Sequence, residues 1–95
     1  MHFLYIIYSR TIDKHYVGET QDLAIRVHQH NNHYFKNNFT KNADDWKVLV
    51  SYECSDRNEA LFLEKFIKKM KSRAFLRKVI ANPEILKDIL RRNCP

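Results

Sequence analysis

The sequence predicts an α+β fold in which a small three-stranded antiparallel sheet is flanked by helices, in the order β-β-α-β-α-α-α. Two observations predict it. Short segments rich in strand-forming residues occupy the first half of the chain, and apolar residues with helical periodicity fill the second half. With 95 residues, one glycine and two prolines, the chain has the length of one domain and lacks linker composition. We therefore expect a single domain over residues 1–95, with its core at about 2–80 and a C-terminal helix at about 83–92.

Three segments are predicted as strands. Residues 2–8 (HFLYIIY) are uniformly apolar and aromatic, which is typical of a strand covered on both faces. Ser9 to Asp13 favours a turn, and Lys14 to Gly18 a short return strand, so these segments form a hairpin. Trp46 to Tyr52 (WKVLVSY) is the third strand.

Four helices are predicted from capping residues and apolar periodicity. Thr20 or Asp22 can cap the first helix, and Asp56 with Glu59 has the spacing of a capping box for the second. The predicted helices cover Leu23–His30, Arg57–Met70, Ser72–Ile80 and residues 83–92, while residues 31–45, rich in Asn and Lys, form a long loop.

Composition narrows the class of protein. A net charge of +6 and a pI near 9.5 favour a polyanionic partner such as nucleic acid. Cys54 and Cys94 lack the spacing of a zinc site or a disulfide framework. The apolar run at the N-terminus is far too short to span a bilayer. We expect a cytoplasmic protein in a reducing environment, with no membrane partner and no structural zinc.

Tyr5 and Tyr16 lie on the two strands of the predicted hairpin, where their side chains can come close together. They are either ordinary core tyrosines or groups that act on a substrate. Gly18, the only glycine, follows Tyr16 by two residues. It indicates either a close approach that a side chain would forbid or a turn that ends the strand.

Arg26 and His30 are one turn apart on the first predicted helix. His30 falls beside the apolar stripe of this helix and Arg26 just off its edge, so both can point into one cleft. The alternatives are a solvated arginine and a histidine placed at the helix C-terminus by the helix dipole.

Glu64 lies at the margin of the apolar face of the second predicted helix. A partly buried carboxylate there costs free energy unless it is paired or binds a metal ion. The alternative is an exposed glutamate paired with Lys68 one turn later. Seven cations follow with no intervening acid, either as a phosphate-binding patch or as a solvated basic face: Lys65, Lys68, Lys69, Lys71, Arg73, Arg77 and Lys78.

The order and spacing of these residues resemble the GIY-YIG nuclease domain, from Tyr5 to about Ile80. The series consists of FLY at residues 3–5, YVG at residues 16–18, RxxxHN from Arg26 to Asn31, and EAxxxExxIK from Glu59 to Lys68. The likeness is greatest to the small stand-alone members of the family.

The resemblance implies a set of site residues. These are the two motif tyrosines, the glycine that ends the second motif, the arginine that binds the scissile phosphate, an auxiliary histidine and the metal-binding glutamate: Tyr5, Tyr16, Gly18, Arg26, His30 and Glu64. Three positions depart from the family pattern. Phe3 replaces the glycine of the first motif, Glu19 stands where many members have a basic residue, and Leu76 where they often have asparagine.

The activity implied is that of an endonuclease that hydrolyses phosphodiester bonds in DNA, in repair, recombination or the processing of branched or nicked structures. It would use one Mg²⁺ or Mn²⁺ ion held by Glu64, with Tyr5 as general base and Tyr16 positioning the phosphate. One carboxylate suffices for a hydrated ion that shares the phosphate. The alternatives are a catalytically weak or inactive nucleic-acid-binding module of the same fold and an interaction domain for an acidic protein.

Overall fold

The computed structural model describes residues 1–32 and 43–93. Over these residues the chain contains, in order, β1 (His2–Ser9), β2 (Lys14–Thr20), α1 (Leu23–Asn31), β3 (Lys47–Cys54), α2 (Arg57–Met70), α3 (Arg73–Ala81) and α4 (Glu84–Asn93). The predicted fold class and element order are confirmed. Of the predicted loop at residues 31–45, Asn31 belongs to α1 and residues 43–45 join no helix or strand, while residues 33–42 lie outside the described residues. Trp46, predicted as the first residue of the third strand, precedes β3, which begins at Lys47.

β1 is the central strand of an antiparallel sheet with the order β2-β1-β3. This position explains its composition, because a central strand with helices or chain on both faces needs apolar residues at every position. Leu4, Tyr5, Ile6 and Ile7 are all at most 1% exposed. The pairing of β1 with β3 shifts register between Ile6 and Ile7, whereas its pairing with β2 is continuous.

The two faces of β1 belong to two separate apolar clusters. Leu4 and Ile6 pack with residues of α2, α3 and α4, including Leu63 of α2. Tyr5 and Ile7 pack on the other face with residues of α1, of the chain before β3 and of the β1–β2 hairpin: Leu23, Val27, Ala43, Trp46, Ile12 and Tyr16. The alternation of side chains along one strand therefore places Tyr5 on the face covered by α1.

The start of α1 fixes which of the two predicted caps is used. The Asp22 side chain accepts a hydrogen bond of 3.1 Å from the backbone N–H of Ile25, so Asp22 is the N-cap. The Thr20 hydroxyl instead bonds to the backbone of Asp22.

The predicted pair Asp56 and Glu59 caps the start of α2, although Glu59 bonds the residue before the cap and not the cap itself. Asp56 accepts from the N–H of Glu59 at 2.9 Å, and the Glu59 carboxylate accepts from the N–H of Ser55 at 2.8 Å. At its other end α2 stops at Lys71, which has the left-handed backbone conformation with φ of 47°. α3 then begins immediately behind the cap Ser72, so a sharp turn joins the two helices.

Side-chain hydrogen bonds fasten the chain before β3 to the rest of the fold. Asn31 accepts from the Trp46 N–H at 2.7 Å and donates to the Trp46 carbonyl at 3.2 Å. Asp45 accepts from the Ser9 hydroxyl and from the N–H and hydroxyl of Thr11.

Within the described ranges, no helix has the length and apolar character needed to cross a membrane.

Candidate active site

Tyr5 and Gly18 are direct cross-strand partners on β1 and β2. The Tyr5 ring lies against the glycine so closely that a Cβ built on Gly18 would be 2.6 Å from the tyrosine hydroxyl and 2.7 Å from Cζ. Gly18 does not have a positive φ, and β2 continues beyond it to Thr20. Of the two interpretations of this glycine, the close approach is therefore correct and the strand-ending turn is wrong.

The Tyr5 hydroxyl is held in the interior by His30. It shares a hydrogen bond of 2.9 Å with His30 Nε2, and the two side chains are each 1% exposed. Burial raises the pKa of Tyr5 well above its usual range, and the neighbouring Tyr16 and the negative charge of Glu64 add to the rise. Tyr5 is therefore a protonated, buried phenol at neutral pH.

His30 is not the exposed helix-end cation that one alternative supposed. Burial, together with the positive charge of Arg26, lowers its pKa to about 4, so the ring is neutral at pH 7. A neutral imidazole can either accept from the tyrosine hydroxyl or donate to it, according to its tautomer. The same Arg26 charge offsets part of the rise in the pKa of Tyr5, so Arg26 influences both members of the pair.

Tyr16 stands next to this pair, as the hairpin prediction required. Its ring centroid is 6.3 Å from that of Tyr5 and 4.8 Å from that of His30. Lys68 Nζ lies 5.5 Å from the Tyr16 centroid, within the range of a cation–π contact. Unlike Tyr5, Tyr16 is only partly buried, so it is the tyrosine that reaches the surface.

Arg26 extends the site into a cleft of about 510 Å³ beside the N-terminus of α1. Two carboxylates line this cleft, the Asp22 cap and Glu19. The Glu19 carboxylate pairs with His2 Nδ1 at 3.0 Å and with Arg57 Nε at 3.6 Å. Glu19 is thus an acid at the position where many family members have a basic residue. The cation that compensates its charge is Arg57 of α2.

Glu64 is placed by α2 at the edge of the same region, and its side chain is 21% exposed. Lys68 donates a hydrogen bond of 2.8 Å to Glu64 Oε2. The i,i+4 ion pair that the sequence offered as an alternative is therefore present. The negative charge of Glu64 also adds to the rise in the pKa of Tyr5 that burial causes.

The chain matches one known protein family. The model of the GIY-YIG catalytic domain matches residues 1–78 of the chain. This chain belongs to the GIY-YIG family. The family consists of nucleases that are generally endonucleases dependent on a divalent metal ion, so a nucleic acid is the substrate that membership implies. No curated protein and no solved structure matches the chain.

The donor atoms of this GIY-YIG chain fit one type of metal site better than another. In the described part of the chain, no three side chains of His, Cys, Asp or Glu converge to form a cage. A closed zinc or calcium site needs such a set, whereas Mg²⁺ keeps several waters and uses one or two carboxylates with substrate phosphates. A single, partly exposed carboxylate at Glu64 fits the second type.

The seven predicted DNA-binding cations do not form one patch in this GIY-YIG fold. Lys68 and Lys71 line a cleft beside Tyr16. Arg73 donates to Asp13 at 2.6 Å, so it lies near the hairpin. Burial, together with the positive charges of Arg73 and Arg77, lowers the pKa of His15. Lys65 and Lys69 instead line a separate groove that contains Phe62, Phe66 and Met70, and Lys78 is exposed on α3.

Sequence reasoning missed the contribution of Arg57 and His2 to the site. Both line the cleft of Arg26 through their contacts with Glu19. The only signal in the sequence was Glu19, which stands where many family members have a basic residue. A carboxylate in a cleft that binds phosphate needs a neighbouring cation to compensate its charge.

Proposed function

We propose that this chain is a divalent-metal-dependent endonuclease that hydrolyses phosphodiester bonds in DNA, including nicked or branched structures that arise in repair and recombination. The observation that carries the proposal is the set of groups around Tyr16. The centroid of its ring lies 4.8 Å from the centroid of His30 and 5.5 Å from Lys68 Nζ. Lys68 in turn donates a hydrogen bond to Glu64. Residues of β2, α1 and α2 therefore meet around the partly buried ring of Tyr16.

Arg26 is the group best suited to hold the scissile phosphate. Its planar guanidinium can donate two parallel hydrogen bonds to phosphate oxygens, and it remains charged at every relevant pH. It lines a cleft open to solvent, and its charge acts on the Tyr5–His30 pair. A phosphate held by Arg26 would therefore lie in this cleft, on the same helix as His30.

Glu64 would hold the metal ion once its hydrogen bond with Lys68 is broken. An exposed ion pair contributes only about 0–1 kcal/mol, so this exchange costs little. A bound Mg²⁺ or Mn²⁺ would stabilise negative charge on the phosphate and lower the pKa of a coordinated water. Lys68 then becomes available to the developing charge or to a flanking phosphate.

The burial of the two tyrosines separates their roles. Deprotonating a tyrosine of ordinary pKa at pH 7 costs about 4 kcal/mol, and the raised pKa of Tyr5 increases this cost. The resemblance favours Tyr5 as general base, but its 1% exposure leaves no surface for a substrate water. We therefore assign Tyr5 to positioning, together with His30, and Tyr16 to contact with the phosphate or its attacking water.

A nicking assay tests the proposal. Supercoiled DNA is incubated with the protein and Mg²⁺, Mn²⁺ or chelator. Glu64→Gln is compared with Asp88→Asn, an exposed helical acid of α4. Nicking that requires the metal ion, survives Asp88→Asn and is lost in Glu64→Gln supports the proposal.

Undiminished nicking in chelator or by Glu64→Gln contradicts the assigned chemistry. Salt-dependent DNA binding without any nicking would instead establish the inactive binding module.

A further inference from the structure

A second cleft adjoins the site on the far side of Tyr16. It lies between β2 and the turn that joins α2 to α3, and it has a volume of about 290 Å³. The apolar side chains of Val17, Ile67 and Leu76 line it, and Tyr16 is shared with the candidate active site. This volume is at the lower end of the roughly 300–1,000 Å³ typical of small-molecule sites, which suits one compact, flat group.

The rim of this cleft is positive because of the way α2 ends. Lys68 occupies the last turn of α2, and the left-handed Lys71 closes that turn with its N–H bonded to the Lys68 carbonyl at 3.3 Å. Both lysines therefore border the same cleft, Lys68 with its ammonium group bonded to Glu64 and Lys71 at the turn itself. α3 starts there behind Ser72 with no acid in its first turn, and no carboxylate is found among the described residues that line the cleft.

An apolar surface bordered by two lysines matches the chemistry of a nucleotide. The faces of a base bury well against apolar and aromatic side chains, while its phosphate pairs with the cations. A base within a duplex cannot enter such a cleft without being extruded, which costs a few kcal/mol. An unpaired base enters without that cost.

We infer that this cleft binds one unpaired nucleotide adjacent to the scissile phosphate, so that the preferred substrate is DNA with unpaired bases at the cleavage point, such as a single strand or a flap. The inference rests on the proposed function, because Tyr16 joins the cleft to the candidate active site. It adds a substrate class to the proposed function. It also gives a role to Lys71 and Leu76, which are not motif residues and do not line the Arg26 cleft.

Binding in chelator tests the inference independently of cleavage. Fluorescence anisotropy is measured with a labelled single strand, with its blunt duplex, and with single strands that carry one abasic residue at each position in turn. The single strand should bind on the order of tenfold more tightly than the duplex, and one abasic position should remove most of that advantage. Equal affinity for strand and duplex, or no effect of any abasic position, overturns the inference.

Lys71→Gln is the matched protein variant. It removes the ammonium group but keeps a similar side chain at the left-handed position, so the backbone cost of folding is unchanged. Affinity for the single strand should fall about tenfold, the size expected for a charge-assisted contact. Lys87→Gln, on exposed α4, removes the same charge outside the cleft and should lose much less. Equal losses in the two variants overturn the inference.

Cleavage of the same oligonucleotides in Mg²⁺ separates this inference from the proposed function. Strand-specific, base-dependent binding without cleavage supports the cleft assignment and contradicts the nuclease proposal. Cleavage without preference for unpaired bases overturns the cleft assignment and leaves the nuclease proposal intact. Melting temperatures of each variant, compared with wild type, show that changes in affinity do not arise from unfolding.

Discussion

The ring of Tyr5 fills the space where Gly18 would carry a side chain, with its hydroxyl 2.6 Å from the position of a Cβ. This contact ties a glycine of the second motif to a tyrosine of the first across one rung of the β1–β2 ladder. The glycine is needed for space, not for an unusual backbone angle, since its φ is not positive.

Gly18→Ala should therefore lower the free energy of unfolding by about 1–3 kcal/mol, the usual cost of overpacking. In a Tyr5→Phe background the loss should be smaller, because the nearest contact is with the hydroxyl, although Cζ at 2.7 Å remains. Urea denaturation of the four proteins measures this coupling. Ser51→Ala, an exposed β3 position, serves as control. A Gly18→Ala protein as stable as wild type would contradict the close approach.

The low pKa of His30 makes stability depend on pH. The folded protein keeps His30 neutral down to pH of about 4, whereas the unfolded chain takes up a proton near pH 6.5. The unfolded state thus binds more protons in this window, so stability is retained above pH 6.5 and lost as the pH falls towards 4. The loss from this residue amounts to roughly 3 kcal/mol.

The free energy of unfolding is measured by urea denaturation over about 3 pH units, from pH 4.5 to 7.5, which covers this window. His30→Gln should remove this component from the pH profile, since glutamine does not titrate. His28→Gln controls for the loss of an imidazole from the exposed face of the same helix. If wild type and His30→Gln change in parallel with pH, His30 does not have the lowered pKa.

The two tyrosines should differ when each loses its hydroxyl. Tyr16→Phe should reduce single-turnover cleavage on the order of a hundredfold or more, as for a group engaged in proton transfer, with little change in stability. Tyr5→Phe removes the hydroxyl that shares a buried hydrogen bond with His30, so it should cost about 1–3 kcal/mol of stability and reduce cleavage less than Tyr16→Phe does. Tyr52→Phe, half-buried on β3, is the control. A larger loss of cleavage in Tyr5→Phe would restore Tyr5 as the general base.

Arg26→Lys tests whether the phosphate is held by two parallel hydrogen bonds. The charge is retained but the planar fork is lost, so kcat/KM for DNA cleavage should fall by about ten- to a hundredfold. Arg91→Lys on α4 makes the same exchange at an exposed position and should have no effect on cleavage. Near wild-type rates in Arg26→Lys would show that only its charge matters.

Lys68→Met should raise the apparent affinity for Mn²⁺, because the ammonium group at 2.8 Å competes with the ion for the Glu64 carboxylate. The gain is limited to about fivefold by the small free energy of an exposed pair. Water-proton relaxation during a Mn²⁺ titration measures it, with Lys87→Met as control. Unchanged or weaker binding by Lys68→Met would place the ion away from Glu64.

Local chemistry made much of the fold predictable. Three kinds of signal depend only on residues close together in the chain: the apolar run of β1, the caps Asp22 and Asp56, and the helical periodicity of α2. Each helix and strand accordingly begins and ends within two residues of its predicted bounds. The proximity of Tyr5 and Tyr16 also followed from the hairpin, because adjacent antiparallel strands bring such side chains together.

The environment of the site residues could not be predicted in the same way. His30 lies at the edge of an apolar stripe on its own helix, and its burial depends on how α1 packs on the Tyr5 face of the sheet. Likewise, the run of cations is continuous in sequence, but Lys68 lines the cleft beside β2, whereas Lys65 and Lys69 of the same helix line a separate groove with Asn93 of α4. Both outcomes depend on contacts between segments far apart in the chain.

The position of β1 has a consequence for the protein while it is being made. β1 leaves the ribosome well before β3, the partner for one of its edges, which begins only at Lys47. At synthesis rates of about 5–20 residues per second, the interval between Ser9 and Lys47 lasts roughly 2–8 s. Throughout it, a strand that is apolar on both faces has one unpaired edge, which is a template for pairing with another chain. The nascent chain, more than the folded enzyme, is therefore the form in which aggregation has to be prevented.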